Sequence, residues 1–205
     1  KKIAMTAMTG KGAEVVKNKF ADIIVESIKQ VKENKIINLD NIKIIKNKSG
    51  DIENIQLIRG IIIDKEKVSI DMPSKIENAK IALISNALEI KSPETETKIS
   101  ITNPDQLQDF VNREEQMLKE IVNKVKFSGA NVIFCQKGID ETIQYYLAKE
   151  GIYACRRVAK SDMDNLSRAT SGKIVSNINE LKDSELGRAR IVEEIKQGNE
   201  SMTYV

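Results

Sequence analysis

Side chains suited to proton transfer are thinly supplied in this chain. Histidine is absent from all 205 residues, which removes Ser-His and Cys-His nucleophile pairs, imidazole acid-base work and every histidine-containing zinc set. Three groupings are left to weigh. Thr9-Gly10-Lys11-Gly12 sets a lysine between glycines, a stretch in which backbone amides and a cation could meet a phosphate. A Walker-type loop also needs an earlier glycine and a hydroxyl directly after the lysine, whereas Lys2-Ile3-Ala4-Met5 precedes this one and Gly12 follows it. An exposed turn is the reading the pattern favours. Cys135-Gln136-Lys137-Gly138 closes an apolar run at the kind of strand end where open α/β sheets bind ligands. Without histidine, that thiol would depend on Lys137 or a helix amino terminus for ionisation, so a buried core cysteine is favoured. Cys155 reads the same way, and two such thiols without metal-type spacing fit a reducing compartment. Asp140 and Glu141 are adjacent and would point apart on a helix, which suits Asp140 to capping better than to a carboxylate pair.

Charge and composition limit the partners. Lys+Arg 33 against Asp+Glu 30 gives +3, with 4% aromatics and no Trp, which argues against a nucleic-acid surface. No apolar run has the length of a membrane span and no signal-peptide pattern is present, so a cytoplasmic protein without a membrane partner is expected. The chain opens on Lys1 without an initiator Met, as a piece of a longer protein would.

These groups must be positioned by a mixed α/β framework. Phe20, Ile23, Ile24, Ile28 and Val31 recur at helical spacing and predict an amphipathic helix over 18–32. Ile-rich runs at 42–45 and 55–63, with Lys48-Ser49-Gly50-Asp51 between them, predict a hairpin in which Gly60 marks a bulge or hinge. A domain boundary is placed near Gln56. A strand is expected over 80–85, then an exposed Ser, Pro, Thr and Glu-rich stretch over 89–103. Asn103-Pro104-Asp105-Gln106 starts a helix that should run to about Lys126 and stop before Gly129. Beyond it, strands at 132–136, 152–156 and 173–176 alternate with helices at 140–149 and 161–170, an order that implies a partly parallel sheet with right-handed crossovers. Gly151 and Gly172 fall where those helices should end.

The helix from Pro104 is the informative element, because at about 1.5 Å per residue it is as long as a small domain is wide. Leu118, Ile121, Val122 and Val125 form one apolar group and Leu107, Phe110 and Val111 another, separated by Arg113, Glu114 and Glu115. Either the whole helix lies on its own core, or its first half offers an apolar surface to a partner.

Several segments, in order, resemble one known family. Asn78-Ala79-Lys80-Ile81-Ala82-Leu83, Gly129-Ala130-Asn131-Val132, Cys135-Gln136-Lys137-Gly138-Ile139-Asp140, Tyr146-Leu147-Ala148-Lys149 and Arg156-Arg157 with Lys160-Ser161-Asp162-Met163 resemble the group II chaperonins, most closely their archaeal branch, the thermosomes. Ala7-Met8-Thr9-Gly10-Lys11-Gly12 is similar to the start of that family's intermediate domain. A departure occurs at Ser69-Ile70-Asp71-Met72-Pro73, where the family often has His-Pro-Gly-Met-Pro.

The resemblance implies that residues 1–56 are the first crossing of the intermediate domain and 57–205 the apical domain, with the helical protrusion, a built-in lid, over about 89–126. It implies a chaperonin apical β-α-β core whose parent binds ATP and Mg in an equatorial domain outside this chain, so that the chain itself has no cofactor and no catalytic residue. Thr9 and Lys11 would lie in a nucleotide-sensing loop. Gln144, Tyr145 and Ala148 would face outward along a groove for non-native polypeptide, and Leu107, Phe110 and Val111 would form the lid tip. Partners would be unfolded clients and neighbouring subunits of a double ring. Two readings stand beside this one: a small-ligand α/β domain or enzyme using the crevice after Gln136, and a structural scaffold.

Overall fold

Amphipathic periodicity and turn chemistry resolve into two compact units, Lys1–Ile61 and Ile62–Val205, in a computed structural model that describes residues 1–33, 36–46, 55–90, 104–197 and 200–205. In the first unit, α1 (Lys2–Met8) leads through the glycine-containing turn into α2 (Lys17–Gln30), the amphipathic helix the spacing predicts. Lys1 grips Asp22 at 2.6 Å, and Arg59 reaches Glu26 at 2.7 Å. The hairpin is not where the Ile-rich runs place it. A minimal antiparallel pair forms between β1 (Lys32–Glu33) and β2 (Ile36–Ile37), while 42–46 and 55–61 are irregular. Gly60 therefore marks no bulge, and the predicted turn at 48–51 lies outside the described residues. β-branched residues favour a strand only where a neighbouring strand and a buried face receive them. Among the described residues of this unit only Val16 and Ala21 are buried, while Ile3, Ile36 and Ile44 are exposed.

The second unit is built on a seven-stranded mixed sheet. Its strands are β3 (Ile62–Ile63), β4 (Lys75–Ile84), β5 (Val132–Cys135), β6 (Tyr153–Cys155), β7 (Ile174–Val175), β8 (Gly187–Gln197) and β9 (Glu200–Tyr204), in the order β3-β9-β8-β4-β5-β6 with β7 also beside β4. The β4–β5, β5–β6 and β4–β7 pairs are parallel, and the remainder antiparallel. The helices α3 (Pro104–Ser128), α4 (Glu141–Lys149) and α5 (Lys160–Thr170) fill the crossovers, so the predicted alternation is present. Burial along β4 changes midway. Its first half pairs with β8 and is largely exposed, whereas Ile81 to Ile84, which pair with the parallel β5 and, at Leu83 and Ile84, with the parallel β7 as well, are wholly inside. Ala82, Ile84, Ile133 and Ala154 meet Leu118, Val122 and Val125 of α3 and Ile143 and Leu147 of α4 in one apolar cluster.

Local chemistry sets the helix ends. Asp140 caps α4, its carboxylate accepting from the Thr142 N–H at 2.8 Å, and Gly151 follows that helix with φ 70°. At the end of α5 the left-handed position belongs to Ser171 (φ 58°), not to Gly172. Gly172 is needed for another reason: a Cβ there would stand 2.6 Å from the Gly187 nitrogen, at the place where β8 begins beside the end of α5. The β8–β9 hairpin supplies two more long strands that the sequence reading leaves unassigned.

Candidate functional site

α3 has 25 residues and extends about 37 Å. Only its second half rests on the body. Leu118, Val122 and Val125 are buried, and Ile121 packs partly buried against the same cluster. N-terminal to Leu118 every described side chain of the helix is exposed except the half-buried Glu115. Phe110 is 39%, Val111 48% and Met117 51% exposed, while the side chain of Leu107 lies outside the described residues. Helical spacing puts Val111 in the row of Leu118 and Val125, and Phe110 in the row of Met117 and Ile121. The apolar face that anchors the second half thus continues, uncovered by described residues, along the first.

The flank of α3 toward α4 is tied by polar contacts. The Tyr146 hydroxyl donates to Glu115 Oε1 at 2.5 Å, Lys119 Nζ meets the same oxygen at 2.7 Å, and the Lys119 ammonium stands 5.3 Å from the Tyr146 ring centroid. Lys119 first, and Tyr146 second, hold the Glu115 carboxyl below its usual range; the carboxylate in turn pushes the Tyr146 hydroxyl up. Farther along, Lys126 meets Glu150 at 2.6 Å. Tyr145, 60% exposed, sets its ring edge-on to Tyr146 with centroids 5.3 Å apart. Gln144 does not face outward as expected. It is buried, its amide donating to the Ile139 carbonyl at 2.6 Å, because the loop before α4 leaves that carbonyl inside the unit. Ala148 is partly buried against the core.

The crevice after Gln136 is filled by the chain itself. Leu88 N–H donates to the Gly138 carbonyl (3.0 Å), Asp140 N–H to the Leu88 carbonyl (2.9 Å) and Arg157 N–H to the Lys137 carbonyl (2.9 Å), so these described segments bond to one another at that strand end. Cys135 is wholly buried there, its thiol donating to the Asn86 carbonyl, and burial pushes it up to about 11. A groove of about 600 Å³ lies on the other side of Asn86 and Leu88 as they leave β4, between the open flank of α3 (Met117, Ile121) and the segments after β4 and β7 (Ile90, Ile178). Among the described residues no cluster of His, Cys, Asp or Glu could hold a metal ion, and no helix is long and apolar enough to cross a membrane.

In the first unit, the loop after α1 is closed on itself. Thr9 Oγ1 donates to the Met5 carbonyl at 3.1 Å, and Gly10, at φ 73°, turns its N–H onto the Glu14 carboxylate at 3.1 Å. A phosphate cradle needs such amides free, so the loop does not fit one. Lys11 is exposed and makes no ion pair with another described residue.

Residues 1–205 match the TCP-1/cpn60 chaperonin family. The chain belongs to that family. It is 50% identical to a thermosome subunit of Methanopyrus kandleri over 209 residues and 53% identical to one of Pyrococcus horikoshii over 208, in each case covering 100% of this chain and 38% of the relative. It is similar in fold to the open-state monomer of a group II chaperonin from Methanococcoides burtonii, with a TM-score of 0.78 and 40% identity over 100% of this chain and 46% of that one. This chaperonin chain therefore spans 38% of the length of the curated relatives it matches.

Sequence reasoning missed two residues of the chaperonin chain's α3–α4 surface. Met117 prolongs the exposed row begun by Phe110, a continuity that strict i, i+7 counting would have found. The role of Tyr146 toward α3 was not findable, since only half of the triad, the Glu115–Lys119 pair at i, i+4, is local in sequence.

Proposed function

We propose that this chain is the client-binding and lid-forming part of an ATP-dependent chaperonin, comprising an apical domain with its helical protrusion and the first crossing of an intermediate domain. The observation that carries the reading is the division of α3: a buried second half, and a first half whose apolar rows stay exposed at Phe110 and Val111. Exposed apolar surface on a long helix costs solubility unless something covers it. Unfolded polypeptide captured by the open form, or a neighbouring protrusion in a closed ring, would do so. Tyr145 on α4 adds an exposed aromatic to the same side of the unit as the α3 ties. Weak contacts spread over such a surface permit many clients and their release.

In this reading ATP and Mg belong to an equatorial domain outside the chain, and Lys11 meets the nucleotide from across a domain boundary. Its exposed cation supports that role, as the closed loop around it supports no tighter one. The thin core of the first unit accords with a domain completed by further chain. A double ring in the reducing cytoplasm is the setting we infer, in line with the two buried free thiols.

Site-specific photo-crosslinking tests the reading. A crosslinker introduced at Phe110 or Tyr145 should capture an unfolded client, and one at Asn123, exposed on the docked half of α3, should not. Equal capture at the three positions would contradict it.

A further inference from the structure

The first fourteen residues of α3 project about 20 Å beyond Leu118, so their direction depends on how the docked half is fixed. Leu118, Val122 and Val125 lie in a single band of the helix surface. Apolar contacts are non-directional, and a helix seated on one band of them can rock about it. Off-band contacts are what remove that freedom. Glu115, Lys119 and Lys126 all fall on the flank beside that band, toward α4, and each has a partner or shares one there. On the opposite flank the one such contact is the partly buried, apolar Ile121, and that flank borders the open groove.

The two ties are unlike. Lys126–Glu150 is a simple exposed ion pair at the docked end, of the kind that contributes little. At the other end, one turn from where burial stops, Glu115 Oε1 takes both the Tyr146 hydroxyl and the Lys119 ammonium, and the ammonium also lies over the Tyr146 ring. Tyr145 meets that ring in an edge contact. A charge-assisted hydrogen bond whose donor ring also lies against a cation is directional in a way that the apolar band is not.

We propose that Tyr146 is a positioning residue that fixes the projecting half of α3 against rocking and against the local unwinding that rocking brings at the edge of the docked half, acting through Glu115 with Lys119 closing the triad. The proposal rests on reading that half as the client-facing lid only for its purpose, not for its geometry. Tyr146→Phe keeps the ring beneath Lys119 and beside Tyr145 and removes one hydroxyl. Glu115→Gln still accepts from that hydroxyl and loses the attraction to Lys119.

The test is amide hydrogen exchange along α3 in the whole chain, followed by mass spectrometry, with thermal unfolding measured alongside. In Tyr146→Phe, amides of Asp109 to Gln116 should exchange about threefold to tenfold faster, in keeping with the loss of one hydrogen bond to a charged group. Those of Val122 to Lys126 and of β5 should be accelerated less, and the unfolding midpoint should fall by no more than a few degrees. Glu115→Gln should give a smaller acceleration over the same amides, and the double variant no more than Tyr146→Phe alone. Unchanged exchange over 109–116, or acceleration shared equally by the docked half and β5, would overturn the proposal. Client capture is read separately through Phe110 and Val111. If those prove irrelevant while Tyr146→Phe still loosens 109–116, the lid reading falls and the positioning role stands; the converse result overturns the positioning role alone.

Discussion

At the scale of single residues, burial rather than a catalytic partner sets the state of the two thiols. Desolvation pushes Cys135 and Cys155 up to about 11 from an ordinary 9.0, and both are wholly inside the sheet. A thiolate-directed reagent at pH 8 should therefore label neither cysteine in the folded chain and both after denaturation. The same shift carries a sign for stability. Between pH 9.0 and about 11 the folded chain retains thiol protons that the unfolded chain has lost, so stability is fully present below 9.0 and declines as pH rises through that window. Denaturant titrations at pH 8 and pH 10 check it, and an equal or greater stability at pH 10 would refute the assignment. Gly187 is constrained by space instead. A Cβ there would lie 2.2 Å from Thr170 Oγ1 and 2.8 Å from its Cβ, so Gly187→Ala should cost about 1–3 kcal/mol in a denaturation midpoint.

At the scale of elements, α3 divides along its own length into a docked half and an exposed half. Leu118→Ala empties a site that is 8% exposed and touches the core cluster, and should cost about 2–5 kcal/mol. Replacing Phe110 and Val111 together with Ser should change the unfolding midpoint little, because both side chains are already largely in water. Calorimetry on the two variants decides between a helix docked throughout and one docked by half. Much of this element was legible beforehand: Pro104 as its start, Gly129 as its stop, and two apolar groups parted by Arg113 and Glu114. Sequence could not assign exposure to either group, since Val111 and Leu118 share one row and differ only in whether a body lies beneath them. Gln144 was misjudged for a related reason. A polar side chain on a helix reads as outward until an unpaired carbonyl such as that of Ile139 draws it in. The strand at 42–45 and all but Ile62 and Ile63 of that at 55–63 failed because β-branched composition cannot supply a pairing partner, those two residues finding theirs in β9, and the β8–β9 hairpin passed unnoticed because Arg188 to Lys196 alternates too weakly to announce a long strand.

At the scale of the whole molecule, membership of the TCP-1/cpn60 chaperonin family joins an α/β unit with a projecting helix to a small helical unit that buries little of its own apolar surface. The central claim is that the exposed apolar pair Phe110 and Val111 takes up non-native polypeptide. Anisotropy titration of the chain against a permanently unfolded, fluorescently labelled polypeptide, such as reduced and carboxymethylated α-lactalbumin, measures this directly. Each large apolar side chain buried in a complex contributes about 1.5–3 kcal/mol, so the Phe110→Ser, Val111→Ser double variant should bind at least tenfold more weakly. Phe127 is the control: it is 88% exposed at the far end of the same helix, and Phe127→Ser should leave affinity as it was. Undiminished binding by the double variant, or an equal loss from Phe127→Ser, would contradict the claim.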